Sequence, residues 1–125
     1  MLAAHLQQAL PAIALDGHPA LSTAYLNDCD PLLCFAQQVN GYGRKGDVLL
    51  AISTSGKSKN ILYAAVTARA EGMKVIGLTG AADSPLPRLC DVCIRVPLQE
   101  TYQIQELHLP IYHCLCLMLE TYFLG

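Results

Sequence analysis

Four short apolar runs, at residues 12–15, 48–52, 75–78 and 92–96, are spaced along the chain with helix-length stretches between them. The run at 48–52 has no polar interruption, the pattern of a strand covered on both faces within a parallel sheet. Helical patterning is expected at 20–26, 31–42 and 60–71, with Gly72 placed where a left-handed C-cap belongs. Pro85 and Pro87 interrupt any long helix before the strand at 92–96. A final helix spans about 102–123, and Pro110 either kinks its axis or marks a break. Strand and helix alternate, which predicts an α/β fold: a three-layer αβα sandwich around a parallel sheet. With no internal repeat, low-complexity tract or linker, residues 1–125 read as one domain.

Composition narrows the classes. Hydrophobic residues make up 53% and charged residues 14%, the balance of an interior-heavy α/β protein or of a subunit in an oligomer. The net charge of −2 gives no polyanion-binding face, so nucleic acid is not an expected partner. No apolar run is read as long enough to cross a membrane, and no secretory leader is recognised, so the expected location is cytoplasmic. The six cysteines are read as reduced thiols. Cys90 and Cys93 are three apart around a strand start, where odd spacing sends side chains to opposite faces. Cys114 and Cys116 lie about 200° apart on a helix. Neither pair is expected to converge, and metal binding by Cys90 and Cys93 is the minor alternative.

The densest chemistry follows the strand at 48–52. Ser53, Thr54, Ser55 and Ser58 bring four hydroxyls to its carboxyl end, and Gly56 lets the backbone approach a ligand closely. Ser58 is expected to N-cap the next helix, whose free amides and positive dipole end favour a phosphate. Gly56-Lys57-Ser58 resembles the end of a nucleotide-binding P-loop, but that motif requires glycine where Ala51 stands, which sets triphosphate binding aside. Plain capping chemistry is the alternative to a ligand site. On the last helix, Gln105 and His113 are eight residues apart, about 80° around the axis, so both could reach one pocket.

The segments Ile52-Ser53-Thr54-Ser55-Gly56 and Met73-Lys74-Val75-Ile76-Gly77-Leu78-Thr79-Gly80 resemble the sugar isomerase (SIS) domain family, phosphoheptose isomerase branch. The resemblance extends through Leu10 to Leu15, through Asn27-Asp28, and through Ile104-Gln105-Glu106-Leu107-His108-Leu109 to His113. It implies a flavodoxin-like strand order 2-1-3-4-5, with the family's central first strand absent and the domain N-terminally incomplete. It implies that Ser53, Thr54, Ser55 and Ser58 hold the phosphate of a phosphorylated sugar, with Asn27, Asp28 and Gln105 as further substrate contacts. Gln105 and His113 would be zinc ligands, and His113 also an acid/base group. The implied reaction interconverts sedoheptulose 7-phosphate and a heptose 7-phosphate through an enediol, in a homotetramer with active sites between subunits. Two positions depart from the family pattern: Lys57 where asparagine is common, and Tyr102 where aspartate is. The alternative is a phosphosugar-binding or protein-binding SIS module without turnover, although retention of Ser55 and His113 favours descent from an enzyme.

Overall fold

The computed structural model describes residues 2–125. Three strands, β1 (Val48–Ile52), β2 (Lys74–Thr79) and β3 (Val92–Arg95), form an all-parallel sheet in the order β1-β2-β3. This is the run of three neighbouring strands expected at one side of the 2-1-3-4-5 order. Around them lie α1 (Pro19–Asp28), α2 (Cys34–Tyr42), α3 (Lys59–Ala70), α4 (Leu86–Leu89) and α5 (Thr101–Leu124), with 3₁₀ turns at Leu2–His5 and Pro31–Leu33.

The pleat of β1 sends Leu49 and Ala51 to one face and Val48, Leu50 and Ile52 to the other. On the first face Ala51 and Val75 pack with Ala64, Ala65 and Ala68 of α3, Leu86 of α4 and Val39 of α2. Three alanines on one stripe of α3 let the helix sit close to the sheet. Gly72 ends the α3 turn with φ +77°, the left-handed conformation expected of it.

The second face is covered less completely. Leu78 is fully buried, but Val48, Leu50, Ile52 and Val92 are exposed. The expectation that the 48–52 strand is covered on both faces is therefore corrected: only its Leu49/Ala51 side meets a helix layer. Residues 12–15 do not form a strand. An extended segment becomes a strand only by exchanging ladder hydrogen bonds with a neighbour, and here the segment is held instead by Gln38, whose Nε2 donates to Leu15 O at 2.8 Å.

Pro110 does not break the last helix, which runs unbroken over 24 residues. Its imide nitrogen leaves the Glu106 carbonyl without an intrahelical donor, at a position where Glu106 is exposed and water can serve. Because the helix is continuous, α5 is long and apolar enough to cross a membrane by length and composition, contrary to the sequence expectation; 6% of its most apolar window is buried. Ile104 and His108 are its buried residues.

Candidate functional site

The β1 ladder runs one residue beyond the strand, with Ser53 N donating to Leu78 O at 3.0 Å, and then the chain turns sharply. Gly56 makes the turn with φ +65°, a conformation that costs a residue with a Cβ but not glycine. Gly56 N donates both to Ser53 Oγ at 3.1 Å and to Ser53 O at 3.2 Å. Lys57 N donates to Ser55 Oγ at 3.1 Å. Gly80 N donates to Thr54 O at 3.2 Å and Leu86 N to Gly56 O at 3.2 Å, so the turn is tied to the ends of β2 and α4.

Its hydroxyls divide into two sets. Ser53 is buried, 6% exposed, and Thr54 is half-buried; Ser55 and Ser58 are exposed. Ser58 occupies the N-cap position of α3, but its side chain does not cap the helix. Ser53 Oγ donates to Ser58 Oγ at 3.2 Å, which turns that oxygen toward the turn and away from the helix amides. The expected capping bond is corrected accordingly. Ile61 N is satisfied by Ser58 O at 3.0 Å and Asn60 Oδ1 at 2.9 Å. The amides of Ser58, Lys59 and Asn60 have no acceptor among the described residues. Free amides at a helix start beside exposed hydroxyls make a surface suited to an anion.

Three residues outside the sequence-derived set shape this turn. Thr79, fully buried, directs Oγ1 to Thr54 O at 3.5 Å. Ser84 is 6% exposed, its Oγ has no partner among the described residues, and it packs directly against Gly56. His108 is buried, with Nε2 at 3.1 Å from Thr79 O. A carbonyl only accepts, so Nε2 is the donor, while Nδ1 has no partner among the described residues. The Thr79-Gly80 dipeptide was visible in the family-like segment. Ser84 carried no sequence signal beyond the turn composition Asp83-Ser84-Pro85.

The remaining candidates stand apart. Asn27 and Asp28 end α1, exposed, with Asn27 Nδ2 donating to Asp28 Oδ1 at 2.9 Å. A concavity of about 340 Å³, whose walls include Asp16, Ser22, Leu26, Phe35 and Asn60, lies between the end of α1 and the start of α3. It brings α1 to the helix that follows the serine turn, but none of the four turn hydroxyls lines it. Gln105 and His113 are exposed on α5, and the His113 ring meets Tyr112 edge-on at 5.2 Å. Among the described residues there is no group of three or more His, Cys, Asp or Glu placed to hold a metal. Gln105 and His113 amount to two donors, one a weak amide, where zinc takes four. These residues by themselves do not fit a zinc site.

Cys90 and Cys93 do converge, against the sequence expectation. A Cβ built on Gly77 would stand 2.6 Å from Cys90 Sγ and 3.0 Å from Cys93 Sγ. The odd-spacing rule assumes both residues on one strand, whereas Cys90 caps α4 and only Cys93 lies in β3. Burial and then the neighbouring Cys93 push the Cys90 thiol up to about 12, and burial raises Cys93 as well.

The SIS domain profile matches residues 2–80. The phosphoheptose isomerase of Rhodospirillum rubrum is 47% identical over 111 residues, covering 89% of this chain and 59% of that protein. That of Coxiella burnetii is 48% identical over 109 residues, covering 85% and 55%. Among solved structures, a phosphoheptose isomerase from Francisella tularensis aligns with a TM-score of 0.84 at 44% identity, over 88% of this chain and 59% of that one. One from Neisseria gonorrhoeae aligns with a TM-score of 0.80 at 38% identity, over 83% and 59%. The chain thus spans somewhat over half the length of these relatives. With the profile matched over more than half of its residues, on a parallel sheet that leads into a serine-lined turn, the chain belongs to the SIS domain family.

Proposed function

We propose that this chain carries the sugar-phosphate site of an aldose-ketose isomerase of the phosphoheptose isomerase type, acting on sedoheptulose 7-phosphate. The observation that carries the reading is the Ser53–Ser58 turn, with exposed hydroxyls on Ser55 and Ser58 next to the unpaired amides that open α3. Identity of 47–48% to named phosphoheptose isomerases supports the substrate class. The phosphate sits against those hydroxyls and amides, with Ser53 and Thr54 shaping the turn behind them and Asn27, Asp28 and Gln105 contacting the sugar.

The reaction moves a proton from C1 of the ketose to C2 while the hydroxyl proton on O1 passes to O2, through a 1,2-enediol. No net oxidant or reductant enters. His113 is the proton-transfer group, since imidazole exchanges protons near neutral pH. Gln105 and His113 would need two further donors to hold zinc. A tetramer in the cytoplasm is the expected assembly. Its support here is α5, whose Leu117, Met118, Leu119, Tyr122 and Phe123 are exposed, while Gln105, Glu106, His113 and Glu120 on the same helix favour a subunit interface over a lipid one.

A binding module without turnover is the second reading, favoured by the exposure of both Gln105 and His113. The experiment separates three outcomes. Ser55→Ala should weaken sedoheptulose 7-phosphate binding by about 1.5–3 kcal/mol, the scale of a hydrogen bond to a charged group, in calorimetry. Isomerisation followed by NMR distinguishes the enzyme from the module. Affinity unchanged by Ser55→Ala removes the phosphate assignment and both readings with it.

A further inference from the structure

Cys90 and Cys93 lie outside the sugar-phosphate reading, and the fold explains how they meet. Cys93 pairs with Gly77 across the β2–β3 ladder. Cys90 follows α4 and sets its sulfur over the same glycine, on the face of the sheet where α3 and α4 pack. The two sulfurs stand 2.6 Å and 3.0 Å from one point above Gly77, so their separation is no more than the sum of these, 5.6 Å. Any side chain at position 77 would fill the space they share.

Two metal–sulfur bonds of roughly 2.3 Å set in line span about 4.6 Å, within that limit. Both cysteines are half-buried, so an ion can reach them. No further His, Cys, Asp or Glu joins them in a cluster among the described residues, which disfavours the four-donor cage of zinc and favours an ion satisfied by two soft donors. The geometry points to a two-coordinate dithiolate site for a monovalent thiophilic ion, copper(I), built from Cys90 and Cys93 over Gly77.

Binding breaks two S–H bonds and forms two S–Cu bonds. Two protons leave to solvent, and the copper stays in its +1 state. Cys90 gives up the hydrogen bond it donates to Leu86 O at 3.2 Å. Arg69 near Cys90 and Arg95 near Cys93 offset the negative charge of the dithiolate, while Asp91 opposes it beside Cys90. Because binding releases both thiol protons, affinity rises with pH.

The test titrates the reduced full chain with copper(I) under argon, in competition with bathocuproine disulfonate, and reads the chelator's absorbance. One ion per chain should be withheld from the chelator, with apparent affinity rising by up to about 100-fold per pH unit for two released protons. Cys90→Ser and Cys93→Ser should each lower affinity at least 100-fold, and Cys114→Ser and Cys116→Ser should leave it unchanged. Circular dichroism checks each fold, and the alanine variants substitute if serine disrupts packing. Equal retention by Cys90→Ser and the parent chain, or an equal loss in Cys114→Ser, would overturn the assignment. So would peptide mapping that finds Cys90 and Cys93 joined as a disulfide after the titration.

Discussion

Substituting Gly56 by alanine tests the architecture of the serine turn at its tightest point. The backbone there is at φ +65°, and holding a residue with a Cβ in that region costs on the order of 1–3 kcal/mol. The new methyl would also run into Ser84 Oγ, with Ser84 Cβ at 2.8 Å and Thr79 Oγ1 at 3.0 Å. Both neighbours are buried, Thr79 completely, so neither can swing into solvent, and overpacking of this kind adds about 1–3 kcal/mol. The sum, roughly 2–6 kcal/mol, is a large share of the 5–15 kcal/mol by which domains are usually stable. Urea denaturation followed by circular dichroism measures it. The two parts separate in the double variant Gly56→Ala/Ser84→Gly, which removes the clash with Ser84 but keeps the strained φ. It should recover at most about 1–3 kcal/mol relative to Gly56→Ala, because the contact with Thr79 Oγ1 stays. A Gly56→Ala loss below about 0.5 kcal/mol, or no recovery in the double variant, would refute the account of the turn.

Two further expectations concern His113 and Cys90. His113→Asn should lower isomerase turnover by about 10²- to 10⁴-fold with little change in KM, the signature of a lost proton-transfer group; a loss confined to KM would make it a binding residue. For Cys90, burial raises the thiol from its ordinary value of 9.0 to about 12, so the folded chain holds this proton more tightly than the unfolded chain. That contribution to stability is fully present below pH 9 and is lost between pH 9 and 12. Thermal melts across that window should show a steeper fall for the parent chain than for Cys90→Ser, and parallel slopes would contradict the burial of the thiol.

Where local composition dictates structure, the sequence was readable. The apolar run at 48–52, the turn that ends it and Gly72 at its helix end all stand where reading placed them. Features that depend on a distant partner were not readable. Residues 12–15 carry strand composition, yet a strand exists only through a neighbour. Ser58 carries N-cap composition, yet its hydroxyl pairs with Ser53 across the turn. The Cys90–Cys93 approach depends on where α4 ends relative to β3. The serine turn was therefore visible as a contiguous motif. Its supports, Thr79, Ser84 and His108, come from three separate segments, and their meeting shows only in the fold.

The long last helix also acts as a lever. Its fixed end is set by Ile104, packed against Gly80, and by His108, held on the Thr79 carbonyl. His113 sits five residues past that fulcrum, about 7.5 Å along the axis at 1.5 Å per residue. A tilt of about 10° would carry it more than 1 Å, a displacement on the scale that can cost a reaction about 100-fold. The end of the helix, 16 residues past His108, would sweep roughly 4 Å by the same geometry. On the proposed role of His113, whatever braces the free length of this rod would set how steadily the imidazole is aimed, and a contact made far from any substrate would be felt in the rate.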